Sequence, residues 1–419
     1  MRIERRTSRL LLAAWCALLV GALAFELGGY PLLDPDEGRN AEVAREMVAT
    51  GDYLVPHLDG LPYLDKPVLF FAVDALALRA LGANELAARL PSLLFALATA
   101  ALVAGFAARL FGRGAAWVAG TATLAAPLPV AFSRTVIFDS LLTFLLTLAL
   151  LSFHAAIEGH AARGKERSFA PRAWAILGWG AMALGVLTKG PVALAVPLLV
   201  ALPYALWRRA GRALLSITGL ALFLTLVLPW VWVMSLKVPE FLRYTLVTET
   251  WRRMTTDHFE RTGPFWYFLP CLLIGALPWS FVVLGAWWRD RGRHAAASDP
   301  RRVFLLLWLA LPLLLFSLSQ SKRPQYILPL VPAVALLVAA AWEGEEEQAL
   351  PGARAGGAAW LGFGALLVLA SFLLPGHRAL PAGQIGPVAH GALLWGLAAL
   401  LGGTAACLAA ARREGALVA

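Results

Sequence analysis

The sequence predicts an all-α integral membrane protein with about twelve transmembrane helices. Of its 419 residues, 59% are hydrophobic and only 15% are charged, whereas soluble chains carry about a quarter charged. Mean hydropathy is +0.69. Apolar runs of roughly 17–25 residues recur between short polar clusters along the whole chain. Such runs must be helical, because lipid offers no partner to a free backbone N–H or C=O.

The spans centre near Leu18, Ala98, Leu124, Leu148, Leu177, Pro197, Leu224, Leu273, Leu311, Pro332, Val368 and Leu400. They divide the chain into a first helix (1–28), a long loop with two short helices and polar motifs (29–89) and a membrane core (90–236). A second long loop (237–264), a second stretch of core (265–341) and a C-terminal helix pair with a short tail (342–419) complete it. Residues 1–28 carry Arg2, Arg5, Arg6 and Arg9 before an apolar stretch but no clear small-residue cleavage site, so they read as an uncleaved helix. The net charge of +10 sits in loops between apolar runs, which favours anionic lipid over nucleic acid as the reason for it. With the N-terminus inside, most Lys and Arg of the short loops fall on the cytoplasmic side. Cys16, Cys271 and Cys407 lie in separate apolar runs, with neither a disulfide framework nor metal-ligand spacing.

That orientation gathers the remaining polar groups on the other face. In the first long loop, Asp34-Pro35-Asp36-Glu37 opens a helix: Asp34 suits the N-cap, Pro35 the first position, and Glu37 an acidic capping box. Ala41, Ala44, Met47 and Val48 follow at helical spacing, and Gly51 ends the run. One cap does not need three acids, so Asp36 is either dipole decoration or a functional carboxylate. Leu61-Pro62-Tyr63-Leu64-Asp65-Lys66-Pro67 opens a second helix, from about Val68 to Leu81, too short to span. Lys66 at its start suits a lipid phosphate, or equally a snorkelling lysine paired with Asp65. Asp139 starts the fourth span as a cap or a cavity carboxylate. Lys189, in Leu187-Thr188-Lys189-Gly190-Pro191, sits at the membrane edge, where an ionisable group is a functional candidate or a snorkel. The loop 237–264 holds Glu249 and Arg253 among charges of both signs, and Ser321-Lys322-Arg323-Pro324-Gln325-Tyr326 forms a short loop on the same face.

Taken in order, these segments resemble the polyprenyl-phosphate-dependent membrane glycosyltransferases, a family that includes the lipid A aminoarabinose transferases and, more distantly, the protein O-mannosyltransferases. The stretches that carry the resemblance are Asp36-Glu37-Gly38-Arg39-Asn40-Ala41-Glu42, Gly60-Leu61-Pro62-Tyr63-Leu64-Asp65-Lys66-Pro67, Ala87-Ala88-Arg89-Leu90-Pro91-Ser92, Leu187-Thr188-Lys189-Gly190-Pro191, Pro264-Phe265-Trp266-Tyr267 and Ser321-Lys322-Arg323-Pro324-Gln325-Tyr326. The resemblance implies a GT-C-type helix bundle with juxtamembrane helices in the first extracytoplasmic loop. It implies an inverting transfer of a sugar from a polyprenyl-phosphate donor to a lipid A-like or other cell-envelope acceptor, outside a bacterial inner membrane. Asp36, Glu37 and Asp139 are then expected as catalytic residues. Lys66, Arg253 and Lys189 are expected to bind the donor phosphate, and Asp65, Glu249, Tyr326 and Lys322 to line the substrate cavity. The activated lipid supplies the leaving group, so no cofactor is required, and no metal-ligand spacing is visible.

Two departures stand out. Asp65-Lys66 replaces the family's usual Glu-Lys, and Glu249-Thr250 replaces the Glu-His of the aminoarabinose transferases, so no histidine serves there. The chain ends soon after its last span, so acceptor choice is expected to rest with the membrane core and loops. Alternative readings are a protein O-mannosyltransferase-like enzyme and a flippase for a lipid-linked sugar. Transporters place ionisable groups near the midplane and carry internal repeats, neither of which is visible here.

Overall fold

The computed structural model describes residues 14–33, 35–162, 170–252, 255–256, 262–291, 298–343, 350–376 and 382–416. After a first helix, α1 (Ala14–Ala24), the long loop folds into α2 (Asp36–Thr50), a two-residue hairpin of β1 (His57–Leu58) and β2 (Leu61–Pro62), and α3 (Leu69–Leu81). Gly51, at φ 72°, closes α2 by donating to Met47 O at 3.0 Å, a left-handed cap that costs glycine little. Asp34, the expected N-cap, lies outside the described residues.

The core follows as α4 (Glu85–Phe111), α5 (Arg113–Ala125), α6 (Pro127–Ser133), α7 (Asp139–Ala161), α8 (Ala170–Lys189), α9 (Val192–Trp207) and α10 (Ile217–Lys237). Two of the core helices start with a side-chain cap, whereas α7, which opens at Asp139, has none. Asn84 accepts from Ala87 N at 2.9 Å to cap α4, and Ser216 from Gly219 N at 3.1 Å to cap α10. The second loop contributes one π-helical segment, α11 (Tyr244–Arg252), a form that often marks functional sites. Then come α12 (Phe268–Gly275), α13 (Trp279–Asp290), α14 (Pro300–Leu318), a 3-10 turn (Pro324–Leu330) running into α15 (Val331–Trp342), α16 (Ala353–Leu373) and α17 (Ala382–Ala416).

All twelve expected span centres fall on helices. By length and composition seven of the described helices can cross a membrane, or nine if two bent pairs each count as one span. The pairs bend by 61° between α5 and α6 and by 103° between the Phe265–Gly275 segment and α13, each at a break followed by or containing proline, which cannot continue the hydrogen-bond ladder. The apolar windows of α7 and of the segment containing α15 are both 83% buried, against 22% and 17% for α16 and the α17 span. The first two therefore form the centre of the bundle and the C-terminal pair its lipid-facing flank.

The juxtamembrane layer has its own core. Val43, Ala44 and Met47 of α2 pack with Phe70, Phe71, Ala75 and Leu78 of α3, and with Leu141 and Leu145 of α7. Asp74 of α3 is fully buried, and neither of its carboxyl oxygens has a hydrogen-bond partner among the described residues. Burial pushes its pKa up to about 8, so it packs as a neutral acid at neutral pH.

Candidate active site

Adjacent residues at the start of α2 point to different tasks. Glu37 is 1% exposed and turns inward. Its carboxylate takes Arg89 Nε at 3.0 Å and Nη2 at 2.8 Å, the Val136 N–H at 2.8 Å and the Leu33 N–H at 2.7 Å. Arg89, itself fully buried, also donates to the carbonyls of Leu27, Tyr30 and Pro31 and lies 3.8 Å over the Tyr30 ring. Glu37 therefore ties the first loop to α4 and to the turn before α7, and it lines neither of the cavities below.

Asp36 turns outward into a polar cavity of about 90 Å³ with Arg39 and Asn40 of the same helix turn. Its carboxylate meets Arg323, from the loop after α14, and Arg39 Nη2 at 2.5 Å. Burial alone would raise its pKa, but the Arg323 and Arg39 guanidiniums outweigh that and hold it below the ordinary carboxylate value. Tyr63, Asp65 and Lys66 form one wall; Ile137, Phe138 and Asp139 another; Lys189, Gln325 and Tyr326 complete it. Asp139 opens α7 and Lys189 closes α8. The two helices form an antiparallel hairpin, so their ends meet, and each charge complements its own helix dipole. The two side chains are ion-paired, with the Lys189 ammonium 4.7 Å from the centre of the Tyr326 ring and 5.0 Å from that of Phe138.

A second cavity, about 190 Å³, adjoins the first and shares Asp65, Lys66, Lys189 and Tyr326 with it. Elsewhere its walls are largely apolar: Leu142 and Leu146 of α7, Val192 of α9, Trp230 of α10, Leu315 and Phe316 of α14. α11 closes one side, where Glu249 Oε2 accepts from Lys66 Nζ at 2.7 Å and Tyr244 Oη donates to Asp65 Oδ1 at 2.5 Å. The side chains of Lys66 and Glu249 are 10% and 7% exposed. Lys66 thus stands at the seam between a polar chamber and an apolar one, the geometry an amphiphile with a charged head requires.

A family model described as dolichyl-phosphate-mannose-protein mannosyltransferase matches residues 37–245. The undecaprenyl phosphate-α-4-amino-4-deoxy-L-arabinose arabinosyl transferase of Edwardsiella ictaluri is 36% identical over 410 residues, 93% of this chain and 72% of that protein. The chain belongs to this family of membrane glycosyltransferases. The transferase of the same name from Aeromonas salmonicida is 34% identical over 316 residues, and there the match spans 74% of this chain but just over half, 56%, of that relative's length. The crystal structure of ArnT from Cupriavidus metallidurans bound to undecaprenyl phosphate superposes with a TM-score of 0.77 at 27% identity, covering 98% of this chain and 78% of that one. An Archaeoglobus fulgidus oligosaccharyltransferase shares the fold at TM-score 0.51 and 12% identity, over 95% of this chain and 55% of its own. The GT-C bundle expected from the motifs is the fold of this transferase chain.

Of the residues singled out in the sequence, Asp36, Asp65, Lys66, Asp139, Lys189, Glu249 and Tyr326 converge on the paired cavities. Two do not. Glu37, expected to be catalytic, is the buried brace described above and lines neither cavity. Lys322, expected in the cavity wall, is 7% exposed and donates to the carbonyls of Ser317 at 2.8 Å and Ser319 at 2.6 Å. It neutralises the C-terminal end of α14, and its neighbour Arg323 takes the place in the cavity. Arg253 lies outside the described residues. Sequence reasoning missed Arg39, Asn40, Tyr63, Tyr244 and Arg323 as site residues. The available signal was their position inside the motifs or beside them; nothing in the sequence said which of two neighbouring side chains faces inward. Among the described residues no group of three or more His, Cys, Asp or Glu is placed to hold a metal ion.

Proposed function

We propose that this glycosyltransferase moves a sugar from a polyprenyl-phosphate carrier to a phosphate-bearing, lipid A-like acceptor of the cell envelope. The reaction takes place on the extracytoplasmic face of a bacterial inner membrane, with the N-terminus in the cytoplasm. One observation carries the reading: an apolar cavity and a polar cavity meet at Lys66. The prenyl chain occupies the first, the phosphate pairs with Lys66 and Lys189 at the seam, and the sugar projects into the second. Arg253 joins the phosphate ligands on the strength of its motif position. The relatives' names, which specify an undecaprenyl phosphate-linked aminoarabinose donor, support the same assignment.

The chemistry follows from charge. As the glycosyl–oxygen bond breaks, positive charge grows at the anomeric carbon and negative charge on the leaving phosphate. Lysine ammoniums fixed in a partly dry site stabilise that phosphate more than water does. An acceptor phosphate oxygen is already ionised, attacks from the opposite face and inverts the centre without a base. Asp36 fits that case. A carboxylate held low by two guanidiniums is a weak base for a hydroxyl acceptor, but with Arg39 and Arg323 it orients an anion. This weighs against the protein O-mannosyltransferase reading, and the charges at one end of the bundle weigh against a flippase.

Lys66→Ala in detergent-solubilised protein tests the assignment. Losing one charge-assisted contact is worth about 1.5–3 kcal/mol, so affinity for undecaprenyl phosphate falls roughly tenfold or more; because the substitution also strands the Glu249 carboxylate, affinity is measured on the folded fraction, well below the lowered unfolding midpoint. Equal affinity in the two proteins removes Lys66 from the donor site.

A further inference from the structure

The polar cavity is charge-matched but not hydrogen-bond-matched. Asn40, 1% exposed, donates its Nδ2 to Val136 O at 2.9 Å, while its Oδ1 is buried with no partner among the described residues. Asp139, also 1% exposed, gives Oδ1 to Lys189, and its Oδ2 is likewise buried and unpartnered. Both residues line the same cavity, and the hydrogen bond to Val136 sets Asn40 beside the short segment that leads into Asp139. On the same cavity wall, Arg39 Nε is a buried donor without a partner. Leaving such groups unsatisfied is costly, so native proteins rarely do it without a reason.

What satisfies them is constrained. A prenyl chain offers no polar hydrogen. An ionised phosphate offers only oxygens, which two carbonyl-type acceptors repel. The transferred sugar offers what both need, O–H or N–H donors, with oxygens beside them for the Arg39 N–H. We infer that Asn40 Oδ1 and Asp139 Oδ2 read the sugar of the donor, each accepting from one ring hydroxyl or amine. This makes them specificity residues, distinct from the lysines that hold the phosphate. The inference rests on the donor reading above and adds the group each side chain recognises.

Two ligands separate the sugar from the phosphate: undecaprenyl phosphate, which has no sugar, and a sugar-bearing polyprenyl phosphate. In Asn40→Ala the KM for the sugar-bearing donor rises roughly five- to tenfold, the loss of one hydrogen bond, while the Kd for undecaprenyl phosphate stays within about twofold. Asp139→Asn keeps an oxygen for Lys189 but turns a donor toward the sugar. It shifts the same ratio in the same direction and serves if Asn40→Ala fails to fold. A donor whose sugar lacks the hydroxyl or amine held by Asn40 abolishes the difference between Asn40→Ala and wild type. Unchanged donor KM in both variants overturns the inference, as does an equal loss of undecaprenyl phosphate affinity. Wild-type protein that binds no undecaprenyl phosphate at all overturns instead the donor reading underneath it.

Discussion

Glu37 and Asp36 are neighbours in one motif, and their separation into brace and site residue is open to direct test through Glu37→Gln. The wild-type carboxylate accepts four hydrogen bonds, two of them from a guanidinium that is itself fully buried. The amide keeps the shape but removes the charge and turns an N–H₂ toward at least one of the N–H donors. Breaking one side of a buried ion pair costs about 3–5 kcal/mol, because the surviving charge is left without compensation. For a chain of this size that is a fall of roughly 3–6 °C in the unfolding midpoint. The assay is thermal unfolding in detergent, read by tryptophan fluorescence, followed by steady-state transfer well below both midpoints. The folded fraction of Glu37→Gln keeps kcat and both KM values within about threefold, since its carboxylate touches neither cavity. Replacing Arg89 as well, in Glu37→Leu with Arg89→Met, recovers part of the lost stability by removing the stranded charge. A variant as stable as wild type but inactive would refute the bracing role and return Glu37 to the chemistry.

Two further outcomes follow from neighbouring groups. Asp74 has a folded-state pKa of about 8 against 3.8 for the free side chain. The folded protein therefore holds a proton that the unfolded chain releases, and stability present below pH 3.8 is lost as pH rises through about 8. Asp74→Asn removes that slope, so its advantage over wild type grows from about pH 4 to pH 8 and then levels, reaching on the order of 4 kcal/mol at pH 7; parallel unfolding profiles across that range would contradict it. Lys322 and Arg323 should divide in the same way as Glu37 and Asp36. Lys322→Met lowers the unfolding midpoint and leaves KM unchanged, because its ammonium serves backbone carbonyls. Arg323→Ala lowers transfer and, by removing a counter-charge from Asp36, moves the acid limb of the pH–rate profile upward. An acid limb that stays in place shows that Asp36 does not set it.

Much of this protein is written locally. Apolar runs longer than a soluble helix needs, interrupted by basic clusters, fix a helical membrane protein, because lipid forbids the alternatives. Asp139 and Lys189 are legible for the same reason: an ionisable group at the edge of an apolar run is expensive and stands out against it. Gly51 marks the end of α2 as expected, since glycine adopts a positive φ at little cost. Among the described residues, seven helices, or nine with each bent pair counted as one span, meet the spanning criterion where about twelve were expected, and α1 and α9 are apolar but shorter than that criterion requires.

Only the tertiary structure decided which of two adjacent charges does which job. Side-chain direction on a helix turn is a matter of rotation, and the sequence Asp36-Glu37 or Lys322-Arg323 is equally consistent with either residue facing the cavity. Packing resolves it: Glu37 is captured by Arg89, 52 residues on, and Asp36 by Arg323, 287 residues on. The seam at Lys66 is equally non-local, since its partner Glu249 lies 183 residues away on the π-helical segment. The sequence alone determined that charges gather on one face of a helical membrane protein. The folded bundle sorted them into a buried brace at Glu37 and two cavities that meet at Lys66, because those positions depend on contacts between segments that no local pattern records.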